Sequence, residues 1–177
     1  MRLTAAALAL AFLAAPAAGD EIHCRGNDDY FVVVAPQPEL DAERVLVGRR
    51  AGPDAPFACT FAKSEAILIV DGRDRMTFEA LSGHHLVLRE PAGSNHAVLV
   101  YDLRSRRKVF DRAVEDSFLS NEGVHYFEEI GDASPAACEH DPDVASMAGA
   151  VLAEERTFRF ESNRIEPGHV RRCFGRQ

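Results

Sequence analysis

The sequence predicts an all-β fold, an antiparallel meander that forms either a sandwich or a partial propeller-like sheet. Three observations support this prediction. Short apolar runs recur along the chain, clusters of turn-forming residues separate them, and the runs are spaced about ten residues apart. Few stretches have the 3.6-residue period of an amphipathic helix. A chain with this pattern builds its core from the faces of short strands.

The chain begins with a segment typical of a secretory signal peptide, residues 1–18. This segment, MRLTAAALALAFLAAPAA, has one positive charge at Arg2, an apolar core, and small residues near its end. Its apolar part is shorter than the ~20 residues that a membrane-spanning helix needs. We therefore expect cleavage near Ala17 or Ala18, a mature chain without a membrane span, and a single all-β domain over 19–177 in the periplasm or outside the cell.

Eleven segments of the mature chain have the composition of β-strands. They are YFVVVA (30–35), RVLVGR (44–49), FACTFA (57–62), AILIVD (66–71), MTFEAL (76–81), HLVLRE (85–90), AVLVYDL (97–103), KVFDR (108–112), VHYFEE (124–129), ERTFRFES (155–162) and HVRRCF (169–174). Proline, glycine and asparagine, which favour turns, occur between these segments. At most one short helix is expected, near 143–154, and Gly149 weakens it.

One pattern occurs twice, as AILIVDGRDRMTF at 66–78 and AVLVYDLRSRRKVF at 97–110. Each copy has an apolar strand that ends in Asp, an Arg-rich turn and a second strand. We interpret both as β-hairpins whose basic turns lie in solvent. The second copy resembles the outer hairpin of a β-propeller blade, in which an aromatic-Asp-apolar triplet precedes the turn. Because a closed propeller repeats four or more blades and no third copy occurs, only a propeller-like meander is expected.

Four cysteines, Cys24, Cys59, Cys138 and Cys173, lie in the predicted mature chain. An even number in an exported chain indicates two disulfides. Three pairings are possible, and we favour the sequential one, Cys24 with Cys59 and Cys138 with Cys173. A redox-active cysteine is disfavoured because the sequence has no Cys-x-x-Cys motif.

The composition excludes some classes of ligand more firmly than it selects one. The formal net charge is −8 and becomes more negative when Arg2 is removed, which disfavours nucleic acid and other polyanions. The chain has no Trp and only three Tyr, so stacking of sugars on aromatic rings is also less expected. Its eleven Phe are expected mostly in the core.

The sequence carries no recognisable catalytic or metal-binding motif. The seven histidines lack the spacing of a zinc site, and the acidic clusters lack the order of ligands found in a calcium loop. Ser105-Arg106-Arg107-Lys108 matches a Ser-x-x-Lys string, but it lies in a predicted exposed turn, whereas that chemistry needs a buried lysine. We expect no metal, no cofactor and no enzymatic activity, although carboxylates brought together only by folding stay open as an alternative.

These features favour a non-enzymatic periplasmic or secreted binding protein, an inhibitor or immunity-type protein that blocks a cell-wall hydrolase. Many such hydrolases are basic, and an acidic binder associates faster with a basic partner. The binding residues predicted are Ser94, Asn95 and His96, at the tip of a loop spanning Glu90–His96. The alternatives are an envelope enzyme whose site is assembled only in three dimensions, and a structural or assembly protein of the envelope.

Overall fold

The computed structural model describes residues 21–71, 75–92, 95–138 and 142–175. Within these ranges, twelve strands form three antiparallel sheets of four strands each. Every sheet is a meander, because consecutive strands along the chain are also neighbours in the sheet. The predicted all-β antiparallel meander is therefore confirmed, and the sheets pack as a sandwich.

The first sheet contains β1 (His23–Gly26), β2 (Tyr30–Gln37), β3 (Ala42–Arg49) and β4 (Ala66–Val70). The second contains β5 (Thr77–Ser82), β6 (His85–Ala92), β7 (Asn95–Asp102) and β8 (Arg107–Val114). The third contains β9 (Asp116–Leu119), β10 (Gly123–Asp132), β11 (Val151–Arg159) and β12 (Arg164–Phe174). A single helical turn, α1 (Pro142–Ala145), and 3-10 turns at Pro38–Leu40 and Lys63–Glu65 complete the described elements.

The second sheet lies between the other two and is buried on both faces. Successive side chains of a strand point to opposite faces, so the run Leu86-Val87-Leu88 of β6 serves two cores. Leu86 and Leu88 pack with Val32, Val45 and other side chains of the first sheet. Val87 packs on the opposite side, with side chains of the third sheet. This double burial explains why β6 is apolar at consecutive positions.

Side chains from two sheets interdigitate in each core. Between the first and second sheets lie Tyr30, Val32, Val34, Val45, Val47, Val70, Met76, Leu86, Leu88, Leu99 and Leu103. Between the second and third sheets lie Val87, Val98, Val100, Phe110, Val114, Val124, Tyr126, Phe158 and Phe160. Phe110 makes aromatic contacts with both Tyr126 and Phe158, at centroid distances of 5.1 and 4.8 Å.

An irregular segment, residues 50–65, packs on the outer face of the first sheet. The ring of Phe57 stacks on Phe31 of β2 with centroids 5.0 Å apart, and the Cys24–Cys59 disulfide joins the segment to β1. Arg50 fastens its beginning, because its guanidinium donates to the carbonyl oxygens of Asn27 and Ala55 at 2.7 Å. The segment thus covers apolar side chains that would otherwise face water.

The third sheet is joined to a second, largely irregular part of the chain, of which residues 133–138 and 142–150 are described. The Cys138–Cys173 disulfide joins this segment to β12, and Cys138 is buried. Nearby, Phe127 of β10 is buried against Phe174 and lies under the guanidinium of Arg172, which is 4.9 Å from the ring centroid. Both disulfides follow the predicted sequential pairing, and each connects an irregular segment to the first or last strand of the described fold.

The structure corrects three local predictions. Residues 57–62, expected as a strand, belong to the irregular segment, because Phe57 and Phe61 pack onto the first sheet instead of pairing with it. The helix expected near 143–154 is only the turn Pro142–Ala145, and Val151–Glu154 belong to β11. Strands β1 and β9 were not predicted, since four-residue strands at sheet edges carry little apolar alternation.

The repeated pattern yields one hairpin rather than two. Residues 97–110 form the β7–β8 hairpin, as predicted. In the first copy, β4 pairs with β3 and β5 pairs with β6, so the two strands belong to different sheets. The prediction of a hairpin at 66–78 was wrong, because an apolar strand pattern does not specify which neighbour the strand pairs with. The turn residues Gly72, Arg73 and Asp74 of this copy lie outside the described residues.

The two intramolecular disulfides are consistent with an extracellular or periplasmic location, where oxidising conditions preserve such bonds. Across the described ranges, none of the helical segments has the length and apolarity required to cross a membrane.

Removing either disulfide should lower stability by a similar amount, because both close loops with a sequence separation of 35 residues. We expect the double variants C24A/C59A and C138A/C173A each to lose about 3–4 kcal/mol of unfolding free energy in urea. Thiol titration of the unreduced, denatured wild-type protein is expected to find no free thiol. Two or four titratable thiols would contradict the presence of two disulfides.

Close contact between β10 and β11 makes Gly123 intolerant of a side chain. A Cβ atom at this position would lie 2.0 Å from the backbone oxygen of Phe158, which cannot move without disturbing the pairing. We expect Gly123→Ala to destabilise the protein by about 1–3 kcal/mol in chemical denaturation. Gly52→Ala is the control, because a Cβ there meets no atom within 4 Å, and it should change stability by no more than about 0.5 kcal/mol.

Candidate functional site

The described strands give the molecule two distinct ends. One, the turn end, carries the hairpin turns at residues 27–29, 83–84, 103–106, 120–122 and 160–163. The opposite one, the terminal end, carries the beginning of β1, the end of β12 and the connection between β6 and β7.

The predicted binding residues lie at the terminal end, but mostly within strands. β6 extends to Ala92 and β7 begins at Asn95, so the expected loop over Glu90–His96 is largely a paired hairpin. Ser94 lies outside the described residues. Asn95 and His96 are half-buried. The structure places both side chains in contact with residues of the β8–β9 region, Glu115 and Ser117.

These contacts brace the β6–β7 hairpin against the neighbouring sheet. The side-chain nitrogen of Asn95, Nδ2, donates to Glu115 Oε1 at 2.9 Å, and His96 Nε2 lies 2.7 Å from Ser117 Oγ. Burial lowers the pKa of His96, and the positive charge of Arg89 lowers this pKa further. The neutral imidazole is therefore the favoured form, and its hydrogen bond to Ser117 helps to hold the hairpin in place.

At the turn end, side chains link all three sheets. Asn27 Nδ2 donates to the carbonyl oxygen of Gly83 at 2.7 Å, which joins the first sheet to the second. His85 Nε2 lies 2.9 Å from Asn163 Oδ1 and its ring stacks on Phe160 at 4.7 Å, which joins the second sheet to the third. His85 is only 1% exposed, so this group holds the sheets together and is not accessible to a ligand.

Asp102 organises the basic turn between β7 and β8. Its carboxylate accepts hydrogen bonds from the backbone N–H of Arg104 and the hydroxyl of Ser105, each at 2.9 Å, and lies 3.9 Å from His84 Nε2. Burial alone would raise the pKa of Asp102, but these hydrogen bonds outweigh it and the pKa is lowered. The carboxylate stands between Ser105 and His84, whereas an activated serine needs the histidine in the middle.

The Ser-x-x-Lys string of this turn has no catalytic geometry. Arg104, Ser105, Arg106 and Arg107 are exposed, as the hairpin interpretation requires. Lys108 pairs with Asp111, and this hydrogen bond raises the pKa of the lysine. A lysine that stays charged at neutral pH cannot take a proton from a serine.

The outer face of the third sheet carries a row of side chains that the sequence did not reveal. Through the strand register, Phe118, His125, Thr157 and Glu166 lie side by side on the four strands; this set is the aromatic row. The rings of Phe118 and His125 stack in parallel, with centroids 4.5 Å apart and planes 2° from parallel. Phe118 is 51% exposed, which corrects the expectation for this phenylalanine.

A cleft of about 580 Å³ adjoins the aromatic row at the turn end. It is lined by Asn121, Glu122, Arg159, Phe160, Glu161, Ser162 and Glu166. Arg159 bridges two of its carboxylates, since Nε donates to Glu166 Oε2 at 2.7 Å and Nη1 donates to Glu122. These hydrogen bonds raise the pKa of Arg159. The result is a planar, fully charged donor group with a carboxylate acceptor on each side.

The polar groups of this region lack the geometry of a buried general acid or of a catalytic triad. Glu122 and Glu166 are 69% and 53% exposed, and solvated carboxylates lack the apolar surroundings that keep a general acid protonated. His125 Nε2 lies 3.1 Å from Ser120 Oγ, but Nδ1 faces the hydroxyl of Thr157, where a triad has a carboxylate.

Among the described residues, no group of three or more His, Cys, Asp or Glu side chains is placed to hold a metal ion. Comparisons of the chain with family models, curated proteins and solved structures give no significant match.

Buried histidines should make stability fall in mild acid. Burial lowers the pKa of His85 below 6.5, and so the folded state binds fewer protons than the unfolded state just below this pH. The stability that neutral, buried His85 contributes is therefore fully present above about pH 6.5. It is lost as the pH falls towards the folded-state pKa of this histidine. We expect the unfolding free energy in urea to decrease from about pH 8 to pH 5.

Replacing His85 by a side chain that does not titrate isolates its share of this decrease. His85→Gln keeps an amide that can donate to Asn163, and it should give a smaller decrease than the wild type shows. His169→Gln, at an exposed position of β12, is the control and should leave the pH dependence unchanged. An unaltered pH dependence in His85→Gln would contradict the role given to burial of this ring.

Proposed function

We propose that this chain is a non-enzymatic secreted binding protein that blocks a cell-wall hydrolase, as inhibitors and immunity-type proteins do. The observation that carries the proposal is the β6–β7 hairpin at the terminal end, held by Asn95–Glu115 and His96–Ser117 hydrogen bonds. A binding element that is ordered before association loses less conformational entropy when it docks. In this proposal Asn95 and His96 support the hairpin, and the partner contacts the hairpin beside them. Ser94, which the sequence also predicts to bind, lies outside the described residues.

The charge around this hairpin supports a basic partner. Glu90, Glu115 and Asp116 lie on or beside the hairpin, and Glu129 and Asp132 occupy the nearby end of β10. The cation Arg89 is already paired with Glu79, at 2.8 Å. An acidic surface accelerates association with a positively charged enzyme, and the gain decreases as salt screens the charges.

The disulfides are compatible with action in the cell envelope. Two disulfides, together with sheets packed on both sides of β6 and β7, favour a rigid scaffold in an oxidising compartment. A protein that blocks hydrolases must itself resist unfolding and proteolysis where those enzymes act. The scaffold thus supports the proposed role.

A turbidity assay with purified peptidoglycan tests the proposal. The mature protein is added to a panel of basic muramidases, amidases and endopeptidases of the cell wall. We expect stoichiometric inhibition of at least one enzyme, weakening as the salt concentration rises. The double variant E90K/D116K should bind that enzyme at least tenfold more weakly, about 1.4 kcal/mol, because it reverses the charge beside the hairpin.

The control carries the same change in charge elsewhere on the molecule. D28K/D54K places two lysines at exposed positions of the first sheet's turn end, and it should retain nearly all of the inhibition. Equal losses in both variants would show a non-specific charge effect. Failure to inhibit any enzyme of the panel, or release of peptidoglycan fragments by the protein alone, would contradict the proposed function.

A further inference from the structure

The basic turn between β7 and β8 carries positive charge that no contact within the described fold uses. Arg104, Arg106 and Arg107 are exposed, and none of them pairs with a carboxylate among the described residues. The next cation of the turn, Lys108, is already paired with Asp111. The basic turn therefore presents several guanidinium groups that are available to an anion from outside the protein.

Hydrogen bonds to Asp102 fix the backbone of the basic turn. One carboxylate oxygen accepts from the backbone N–H of Arg104, and the other accepts from the hydroxyl of Ser105, each at 2.9 Å. Both oxygens of this neighbouring carboxylate are thus engaged with the turn itself. Because the backbone is ordered before any partner arrives, docking on this turn costs little further conformational entropy of the chain.

The positive charge of this turn is local, on a chain whose formal net charge is −8. Other exposed arginines that pair with no described carboxylate lie at or beside the turn end, namely Arg25, Arg49 and Arg164. Exposed carboxylates of the turn end belong to other connections, namely Asp28, Asp29 and Glu161. Burial lowers the pKa of His84, and the charge of Arg104 lowers this pKa further, so the field of the basic turn reaches the neighbouring β5–β6 turn.

A flat anionic surface is the partner that this distribution of charge fits. Strand β6 connects the turn end to the terminal end, and its 8 residues at ~3.4 Å each span about 27 Å. Charges in ~0.1 M salt are screened beyond about 10 Å. A surface that meets only the turn end is therefore attracted by the basic turn, while the carboxylates of the terminal end are too distant to repel it. A flexible polyanion would also meet the acidic sides of the molecule.

Phospholipid headgroups supply the matching chemistry. A guanidinium donates parallel hydrogen bonds to the oxygens of a phosphate, which makes arginine an effective ligand for this group. Clusters of basic side chains bind to anionic bilayers through the negative potential at the lipid surface. The two disulfides are consistent with an extracellular or periplasmic location, where bilayer surfaces are accessible to a protein.

We propose that the basic turn docks this protein on the surface of a bilayer that contains anionic phospholipids. The lipid phosphates bind Arg104, Arg106 and Arg107, and the turn end faces the headgroups. The β6–β7 hairpin, at the opposite end, then points away from the bilayer. Docking does not depend on the proposed inhibition of a hydrolase, because the two use opposite ends of the molecule, and either result can hold when the other fails.

Cosedimentation of the mature protein with lipid vesicles tests the proposal. The vesicles contain either phosphatidylcholine alone or phosphatidylcholine and phosphatidylglycerol in equal parts. We expect binding to the mixed vesicles, with at least tenfold weaker binding to phosphatidylcholine alone, about 1.4 kcal/mol. Binding should decrease as the NaCl concentration rises from about 50 to about 500 mM, because salt screens the charges. Absence of binding to the mixed vesicles at low salt would overturn the proposal.

Substitutions of arginine separate the basic turn from the net charge of the protein. The variant R104Q/R106Q/R107Q should bind the mixed vesicles at least tenfold more weakly, since each basic side chain near the surface contributes to binding. The matched control, R75Q/R112Q/R171Q, removes the same charge at exposed positions outside the basic turn, and it should bind within about threefold of the wild type. Equal weakening in both variants would overturn the assignment to the basic turn.

Folding of both variants is checked by circular dichroism and melting temperature, which should match the wild type because the substituted positions are exposed. Unchanged vesicle binding in a folded R104Q/R106Q/R107Q variant would contradict the proposal.

Two further measurements test the orientation and the source of the phosphate. D28K/D54K adds positive charge to the same end of the molecule and should bind the mixed vesicles more tightly, whereas unchanged binding would contradict docking by the turn end. Inorganic phosphate at about 10 mM, with the ionic strength held constant, should release little of the bound protein. Complete release would indicate a site for free phosphate and overturn docking on a bilayer.

Discussion

Burial of the second sheet on both faces is the constraint on which the rest of the structure depends. Strands β6 and β7 place leucines against the first sheet and valines against the third, so neither face can be left to water. The first and third sheets each pack one face against the second sheet. Their remaining faces then carry apolar side chains such as Phe31 and Phe127, which the irregular chain segments, β12 side chains and the two disulfides help to cover and stabilise.

The same constraint decides which parts of the fold the sequence could predict. Short apolar runs and turn residues identified ten of the twelve strands, because burial of at least one face leaves a visible pattern. The segment 57–62 has the same composition, yet it packs on a sheet instead of joining one. The sequence also did not show that β4 and β5 belong to different sheets. Strand composition indicates burial, whereas the choice of partner strand depends on the whole chain.

The candidate sites were less predictable, since they depend on register. Phe118 and His125 are seven residues apart, but Thr157 and Glu166 are distant in sequence, and only the pairing of four strands aligns them. A shift of one residue in β9 would turn Phe118 towards the core and expose Ser117 instead. For Asn95 and His96 the location near a hairpin was correct, while their hydrogen bonds to Glu115 and Ser117 depend on the packing of the third sheet against the second.

Stacking of sheets also gives the two ends of the molecule separate sets of bracing contacts. At the turn end, hydrogen bonds from Asn27 and His85 connect neighbouring sheets, so the aromatic row rests on a part of the molecule held on several sides. At the terminal end, the β6–β7 hairpin extends from the central sheet and is held by bonds to residues at the start of the third. Because each surface has its own set of bracing contacts, a substitution that loosens one leaves the other in place.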